Sequence, residues 1–594
     1  MLARLPGGTQ VGDVEARLNS VVRGLMPAFP TPRVPPAATA EMVTRAGPFS
    51  TTRFVPVVEH VARRVRSLFL GILLTAVLLV TVASVNVSGL MIARGFNRRR
   101  DLSVRRAMGA RATDLVRLVV IESTVLVSAG AVLGLAATPQ LIALATQLLP
   151  VDLQFFSLPA LEGRVVAFAL LMTICAALAT AVVPAWRAAR QAHIAGPALA
   201  PAPPGRRATR TVVLALQIAG SLVLAIGGTL FVTSLITVER SDIGIDLDHV
   251  AAADIRLLPE SADRSGQMSA RKALAEALLV QIRSLPSVDH AAMTSSPLFT
   301  RNVRSASVQG PASSGARFFA GGQEVTSGFR EVLAPRLLEG RWFTDEEIAS
   351  RADVAVIDEV AARGWWPNAR AVGQTLRGFS RQSTVIGVTA EARYYAWDLH
   401  GRVATVYQPA SFAQGDGQQT LIVRGPDADR ARKDAIEVLR RAAPTVRISR
   451  SGALTALIAD SIRERRLQSW LFGSLAAAAL VILGVGVLGF VAMSTVSRTR
   501  EIGVRVALGA TPSHVVGLLA REQIAGVSIG IAAGLALAAW GLRALETYLY
   551  QLTPYDSRVW AVAILVVLVT TLIGTLIPAR LSACVDPMMT LRAE

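Results

Sequence analysis

The chain has 594 residues, of which 52% are hydrophobic and 17% charged, and its mean hydropathy is +0.46. Soluble proteins of this length are not so apolar. The net charge of +19 does not indicate nucleic-acid binding, because the basic residues cluster beside apolar runs, as they do in the cytoplasmic loops of membrane proteins.

Seven uncharged, apolar runs follow one another along the chain, and each has at least the roughly 20 residues that a helix needs to cross a bilayer. The second run contains Pro139, where we expect its helix to end or kink. A single run could be a buried helix of a soluble core, but seven runs, most with arginine at one end, predict membrane spans. The runs are 67–93, 123–151, 165–186, 211–238, 467–497, 523–542 and 559–579.

The arginines orient these spans, because basic residues are retained on the cytoplasmic side. They follow the first, fifth and seventh runs and separate the third from the fourth. Residues 239–466 are then external. Residues 1–66 fall on the same side although they carry nine arginines and no span precedes them. We therefore expect that the chain is truncated at its N-terminus and that a helix and a full external domain precede it in the intact protein.

The sequence repeats at a distance of 400 residues. Residues 98–123, RRRDLSVRRAMGARATDLVRLVVIES, align without a gap with residues 498–523, RTREIGVRVALGATPSHVVGLLAREQ, and ten positions are identical. The same offset continues into the following span, where it pairs glycines with glycines. This pattern predicts a tandem duplication of a three-span module, with a fourth span and one external domain between the copies.

The repeated loop has features that a simple topology signal does not require. Each copy has an acidic residue four positions before an arginine, which favours an ion pair on a helix, and then a glycine placed to end that helix. A new helix follows, with Thr113 as its N-cap in the first copy and Thr511 before Pro512 in the second. We predict a short helix on the cytoplasmic face that docks a partner; the alternative is a solvated basic helix at the membrane surface. The residues are Asp101, Arg105 and Gly109, and Glu501, Arg505 and Gly509.

The motif REIGVRVALGA at 500–510 resembles the signature of FtsX-like permeases, the membrane subunits of MacB-type ABC transporters. DLSVRRAMGA at 101–110 is a variant of it, and IPARLSACVDPMMTLRAE at 577–594 is similar to the family's C-terminal sequence. The resemblance implies that residues 101–110 and 501–510 are coupling helices that seat on a separate ABC ATPase subunit. The six residues of the preceding paragraph then form the contact with the ATPase.

The external residues 239–466 alternate strand-sized and helix-sized runs, which is typical of a compact α+β domain. Trp342, Trp365 and Trp366 are expected in its core. We predict strands at 250–257, 383–388 and 419–425, a helix at 270–285, and a strand running into a helix at 352–367.

Three segments of this domain, LLEGRWFTDEE, VAVIDEVAARGWWP and VIGVTAEAR, resemble the MacB periplasmic core domain. VGDVEARLNSVVRGLMPAFP near the N-terminus resembles the end of a second such domain. The resemblance implies a polytopic α-helical membrane protein with seven transmembrane helices, two FtsX-like modules, and one α+β MacB-like periplasmic domain between the fourth and fifth helices. The expected division is a domain remnant at 1–64, a first module at 65–190, a linker and fourth span at 191–238, the periplasmic domain at 239–466 and a second module at 467–594.

Small and polar residues inside the spans indicate helix packing. Asn86 and Gln217 are expected to form interhelical hydrogen bonds, and GVGVLG at 484–489 to pack against a helix rather than bind a dinucleotide. Glu122 and Glu522, at the cytoplasmic starts of their spans, are either functional or simply solvated. Glycines four apart predict packing seams at Gly130, Gly134, Gly526, Gly530 and Gly534.

The chain has no G-x-x-x-x-G-K-[ST] motif and no recognisable catalytic arrangement, so we predict no enzyme activity, no metal and no cofactor. Three functions stay open. The first is the permease of an exporter in the bacterial inner membrane, powered by a separate ATPase and working with the bilayer and a periplasmic adaptor or substrate protein. The second is a non-transporting signal transducer like cell-division FtsX, and the third is an unpowered membrane scaffold.

Overall fold

The computed structural model of the chain describes residues 57–97, 105, 108, 111–148, 163–193, 205–257, 264–300, 305–309, 317–378, 381–394, 403–410, 417–496, 512–543 and 552–583. Two compact units divide between Leu78 and Leu79. Every contact between helices that is given below lies within the second unit.

Four long helices come first. They are α1 (Val57–Asn97), α2 (Ala112–Leu148), α3 (Gly163–His193) and α4 (Gly205–Glu239). Their sequences are apolar over more than one face, and in a bilayer a helix satisfies its own main-chain hydrogen bonds, so such runs fold as helices.

A domain of strands and short helices follows α4. Its strands are β1 (Val250–Arg256), β2 (His290–Thr294), β3 (Ser305–Gln309), β4 (Arg317–Val325), β5 (Leu337–Gly340), β6 (Val354–Asp358), β7 (Thr375–Gly378), β8 (Arg381–Thr389), β9 (Ala404–Pro409), β10 (Gln418–Arg424) and β11 (Arg447–Ala453). Its helices are α5 (Arg264–Arg283), α6 (Phe329–Leu333), α7 (Asp345–Ser350), α8 (Glu359–Trp365), α9 (Ala428–Ala442) and α10 (Leu454–Ser461). Three further long helices are α11 (Arg463–Val496), α12 (Pro512–Gly541) and α13 (Ser557–Ala583).

Seven helices in the described part of the chain are long and apolar enough to cross a membrane, and each overlaps one predicted run. The second span begins earlier than predicted, with Thr113 at the start of its apolar window. The reason is that α2 accommodates Arg117 and Glu122 near its N-terminus. The alternative in which this helix ends at Pro139 is wrong, since α2 continues to Leu148. A proline removes one main-chain hydrogen bond, and the rest of the helix keeps its own.

The described strands form one sheet in the order β11-β1-β10-β2-β4-β3-β7-β8-β6-β9, with β5 on β8. β9 also pairs with β4 in parallel, so the strands from β4 to β9 in this order close into a ring. β1 lies in the open part of the sheet, antiparallel to both β10 and β11. The predicted strands and helices of this domain are present, and seven strands that the sequence analysis did not predict, β2, β3, β4, β5, β7, β9 and β11, join them.

Aromatic side chains fill the centre of the domain. Trp342, Trp365 and Trp366 are buried, as predicted. Phe329 lies against the rings of Trp342 and Tyr407, and a hydrogen bond of 3.1 Å joins the hydroxyls of Tyr407 and Tyr394. Rings of this size contribute the largest buried apolar areas of a core.

The buried carboxyl group of Asp358 connects α8 to β9. Asp358 caps the N-terminus of α8 by accepting a hydrogen bond of 2.8 Å from the main-chain N–H of Ala361. Its other oxygen accepts one of 2.9 Å from the N–H of Thr405 in β9. Burial raises the pKa of Asp358 to about 7, although both hydrogen bonds favour the ionised form.

The raised pKa predicts a pH dependence of stability. The folded-state pKa exceeds the ordinary value of 3.8, so folding favours the protonated acid and stability falls as the pH rises from about 4 to about 7. The free energy of opening of β6 and β9, from hydrogen exchange of the full chain, should therefore fall by a few kcal/mol over this window. Asp358→Asn should abolish the pH dependence, and the exposed control Asp289→Asn should keep it. Equal slopes in all three proteins would contradict the assignment.

Candidate functional site at the helix junction

The predicted ATPase-coupling residues lie mostly outside the described residues. Asp101, Gly109, Glu501, Arg505 and Gly509 belong to that group. Arg105 is described as helical and exposed. The predicted second coupling segment, residues 501–510, falls between the end of α11 at Val496 and the start of α12 at Pro512.

The start of α2 differs from the prediction. The helix begins at Ala112, so Thr113 lies inside it and is not its N-cap. The main-chain N–H of Arg111 instead donates to the carboxylate of Asp114 over 2.8 Å. A carboxylate in the first turn also interacts favourably with the helix dipole. In the second copy Pro512 is the first helical residue, as predicted.

An ion pair and a hydrogen bond join α4, α11 and α12. The guanidinium of Arg210, at the start of α4, donates to the carboxylate of Glu522 in α12 over 2.7 Å. The same group donates to the Ser494 hydroxyl near the end of α11 over 3.3 Å and lies 5.2 Å from the ring centroid of Phe490. The side chains of Arg210 and Glu522 are only 12% and 22% exposed. Glu522 is therefore paired rather than simply solvated.

From the sequence, Arg210 was identified only as one of the basic residues that set topology and not as a site residue. Its partner lies 312 positions away. The available signal was three arginines, Arg206, Arg207 and Arg210, at the edge of one apolar helix and a glutamate at the same edge of another.

Two polar side chains lie deeper in the same group of helices. The amide nitrogen of Asn86 in α1 donates to the carbonyl of Ile482 in α11 over 2.8 Å, and Gln217 in α4 donates to the Asn86 amide oxygen over 3.3 Å. Both side chains are buried. The predicted interhelical hydrogen bonds are confirmed. A Cβ at Gly486, inside GVGVLG, would lie 2.4 Å from the Asn86 oxygen, so this glycine packs against a helix, as predicted.

The glycines of α12 lie against α4. A Cβ at Gly526 would lie 2.9 Å from Leu214, and one at Gly530 would lie 2.8 Å from the carbonyl of Ala215. Gly534 approaches Ala219 in the same way, with 3.1 Å to its Cα. Small residues allow two helices to approach this closely in a membrane.

The corresponding glycines of the first copy do not form a seam with any described residue. A Cβ at Gly130 or Gly134 would meet no described atom within 4 Å. Among the described residues, Gly130 and Gly134 therefore have no helix packed against them, unlike what was predicted. The physical reason is that α2 packs on α3 and on part of α11, and these contacts use other faces of α2.

α4 and α11 are in contact over their whole common length. A Cβ at Gly228 would lie 2.5 Å from the Cβ of Ala476, and the rings of Phe231 and Phe472 stack with centroids 4.2 Å apart. The Ser469 hydroxyl donates to the carbonyl of Phe231 over 2.8 Å.

The same two helices lead directly into the sheet. At their external ends Arg466 donates to Glu239 over 3.0 Å. α4 is followed by β1, and α11 is preceded by α10 and β11, and these two strands are neighbours with Ala251 opposite Ala453. From Arg210 to Glu239 the helix has 30 residues, about 45 Å at 1.5 Å per residue. The two helices thus run from the Arg210–Ser494 contact to the segments that lead into the neighbouring strands β1 and β11.

Two family models match this chain. The FtsX-like permease C-terminal model matches residues 71–192 and 473–583, and the MacB-like periplasmic core domain model matches residues 218–451. Together they take in well over half of the chain. The chain belongs to the MacB/FtsX-type permeases of ABC transporters, and it is a multi-pass membrane protein with a periplasmic domain.

The named relatives are similar over part of their length. The pyoverdine export ATP-binding/permease protein PvdT of Pseudomonas savastanoi pv. phaseolicola is 28% identical over 287 residues, which are 46% of this chain and 43% of that protein. The macrolide export ATP-binding/permease protein MacB of Mannheimia succiniciproducens is 27% identical over 274 residues, 44% of this chain and 42% of that protein. The matches thus span less than half of these relatives. The solved periplasmic region of MacB from Actinobacillus actinomycetemcomitans is 15% identical, with a TM-score of 0.26 over 36% of this chain and 93% of that one.

The Arg210–Glu522 pair should contribute to the stability of the helix group. Because both side chains are largely shielded from water, removing one leaves the other charge poorly compensated. In a double-mutant cycle of Arg210→Gln and Glu522→Gln, measured as unfolding free energies in detergent micelles, we expect a coupling energy of about 1–3 kcal/mol. The more exposed pair Arg466–Glu239, with 41% and 39% exposure, is the matched control and should give less than about 1 kcal/mol. Additive effects at Arg210 and Glu522 would contradict this role.

Proposed function

We propose that this chain is the permease of a bacterial inner-membrane exporter whose ATPase is a separate subunit. The ATPase seats on residues 101–110 and 501–510, and its motion reaches the periplasmic domain through α4 and α11. The continuous contact of these helices, from Arg210 and Ser494 at one end to Glu239 and Arg466 at the other, is the observation that carries the proposal. Export is supported by the similarity to relatives named as export ATP-binding/permease proteins.

The second coupling segment is connected to α4 through one group of side chains. Glu522 lies eleven positions into α12, and Ser494 lies two residues before the end of α11. Arg210 contacts both. A partner that moves residues 501–510 pulls on the end of α11 and the start of α12 together, and Arg210 transmits this displacement to α4.

The two three-helix sets act as duplicated modules. The ungapped repeat supports this, and so does the match of one family model to two segments. The helices that end the two sets carry their internal prolines, Pro184 and Pro578, 21 positions after Gly163 and Ser557, their respective first residues. The proposed division is a domain remnant at 1–64, modules at 65–190 and 467–594, a linker with the fourth span at 191–238, and the periplasmic domain at 239–466.

The packing of α4 also favours a second function, a signal transducer that moves its periplasmic domain without passing a substrate. The seam of α4 with α12 leaves no room for an added Cβ at Gly530, so this seam is not a passage. Export would then depend on the periplasmic domain acting on a substrate or adaptor protein outside the bilayer. Stimulation of the ATPase by a candidate substrate would favour the exporter over the transducer.

The ATPase contact can be tested by replacing residues of the second copy. Arg505→Glu reverses the charge that is predicted to pair with Glu501, and Gly509→Val opposes the left-handed turn predicted to end the coupling helix. We expect each to lower the affinity for the cognate ATPase at least about tenfold, a loss of roughly 1.4 kcal/mol, measured by co-purification and titration. Arg105→Glu and Gly109→Val are the matched controls in the first copy and should cost less, because that copy departs further from the motif. Undiminished ATPase binding by the second-copy variants would overturn the docking role.

A further inference from the structure

The segment that connects α4 to β1 is bound to the periplasmic domain at several points. The main-chain N–H of Arg393, which follows β8, donates to the carbonyl of Ile243 over 3.0 Å. Further along the segment, the N–H of Asp246 donates to the carbonyl of Leu333 at the end of α6 over 3.1 Å. The Asp246 carboxylate also pairs with Arg424 of β10 over 2.9 Å. This connection is therefore folded onto the domain and is not a free linker.

Gly244 brings the main chain of this segment against residues 391–394. Its φ is +74°, a conformation that residues with a side chain seldom adopt. Asp242 holds the turn by accepting a hydrogen bond of 2.9 Å from the Gly244 N–H. A Cβ at Gly244 would lie 1.9 Å from the carbonyl oxygen of Glu391 and 3.3 Å from the Cα of Ala392. The two main chains can pass this closely only because the residue is glycine.

Apolar side chains seat the ends of both membrane helices on the same segment. Val238 near the end of α4 and Ile462 just before α11 are buried in one cluster, and Ile243 packs against it. Ile243 also packs against the aromatic core of the domain, which includes Tyr394. One residue of the segment thus connects the helix pair to the core.

We propose that residues 241–248 and 391–394 form a fixed joint, which sets the direction of the periplasmic domain relative to α4 and α11, and that Gly244 is the positioning residue of this joint. A connection through β1 alone would let the domain turn about the end of α4, because each residue of a free segment has two soft main-chain dihedrals. The contacts of Ile243, Gly244 and Asp246 remove this freedom. The use of the joint rests on the proposed function, since a movement of the helix pair turns the domain through it.

The joint can be measured in the full chain without an ATPase. Spin labels are placed at Val232 on α4 and Leu338 on β5, which are both exposed, after Cys175 and Cys584 are replaced by alanine. Pulsed measurements in nanodiscs then give the distribution of distances between the labels. We expect a single narrow distribution in the parent chain and one at least about twofold broader in Gly244→Ala, because alanine is strained at this φ and collides with the facing carbonyl.

Gly417→Ala is the matched control for backbone strain. Gly417 has a φ of +81°, and a Cβ there would lie 2.3 Å from the carbonyl oxygen of Leu257, at the opposite end of β1 from the joint. This variant should lower the thermal unfolding midpoint as Gly244→Ala does, but should leave the distances narrow. Equal broadening in the two variants would overturn the proposal, since it would report a general loosening of the domain.

A milder variant decides the case if Gly244→Ala does not fold. Ile243→Ala removes packing against Val238 and Ile462 without a main-chain clash, and it should also broaden the distribution, by a smaller factor. Its control is Ile386→Ala, because Ile386 is a partly buried isoleucine on the same aromatic core, and this variant should keep the distances narrow.

Three results would contradict the joint. They are a broad distribution in the parent chain, a narrow one in Ile243→Ala, and a narrow one in folded Gly244→Ala. Because these samples contain no ATPase, failure of ATPase docking in the Arg505→Glu experiment leaves the distances unchanged, and failure of the joint leaves that docking result unchanged.

Discussion

The close packing of α4 against α11 is the contact on which the other parts of the structure depend. At Gly228 the main chain of α11 approaches so closely that even a methyl group has no room, since its Cβ would lie 2.9 Å from the carbonyl oxygen of Phe472. In a bilayer, helices gain little from the hydrophobic effect when they associate, so close van der Waals packing of this kind decides which helices pair. Because the paired helices continue into β1 and β11, the periplasmic sheet is attached to the membrane helices by two adjacent strands rather than by one flexible linker.

Polar groups give this helix group its register. Asn86, Gln217 and the Ile482 carbonyl form one short network, and Arg210, Glu522 and Ser494 form another nearer the cytoplasmic ends. A helix that slid by one turn would leave these groups without partners in an apolar medium, which costs free energy. The networks therefore fix α1, α4, α11 and α12 relative to one another at the end where the proposed ATPase acts.

The helices were predictable because length and apolarity alone specify a membrane span, and no partner is needed to recognise one. The ends of the helices were less predictable, because charged residues such as Arg117 and Glu122 are tolerated inside α2 near the membrane surface. The missed strands have weak local signals. β2 is HAAMT and β4 contains two adjacent glycines, so their strand conformation depends on pairing with β10 and β9, far away in sequence.

The polar contacts between the membrane helices were also only partly predictable from the sequence. The types of residue in the spans indicated that Asn86 and Gln217 form hydrogen bonds, but the pairing of Arg210 with Glu522 depends on how α4 and α12 pack, which no local pattern encodes. The equivalence of Gly130 and Gly530 was visible in the repeat. Only the structure distinguished Gly530, which lies against α4, from Gly130, which has no described atom within 4 Å of an added Cβ.

The central claim is that α4 and α11 move as one body when the ATPase acts. Spin labels at Leu216 with Val485, and at Val232 with Trp470, place one exposed pair near each end of the two helices. A third pair, Leu171 on α3 with Val485, reports motion of α11 relative to α3. With the cognate ATPase bound, pulsed distance measurements should show the first two distances unchanged on addition of ATP and the third distance altered. A change in either of the first two, or no change in the third, would contradict the account.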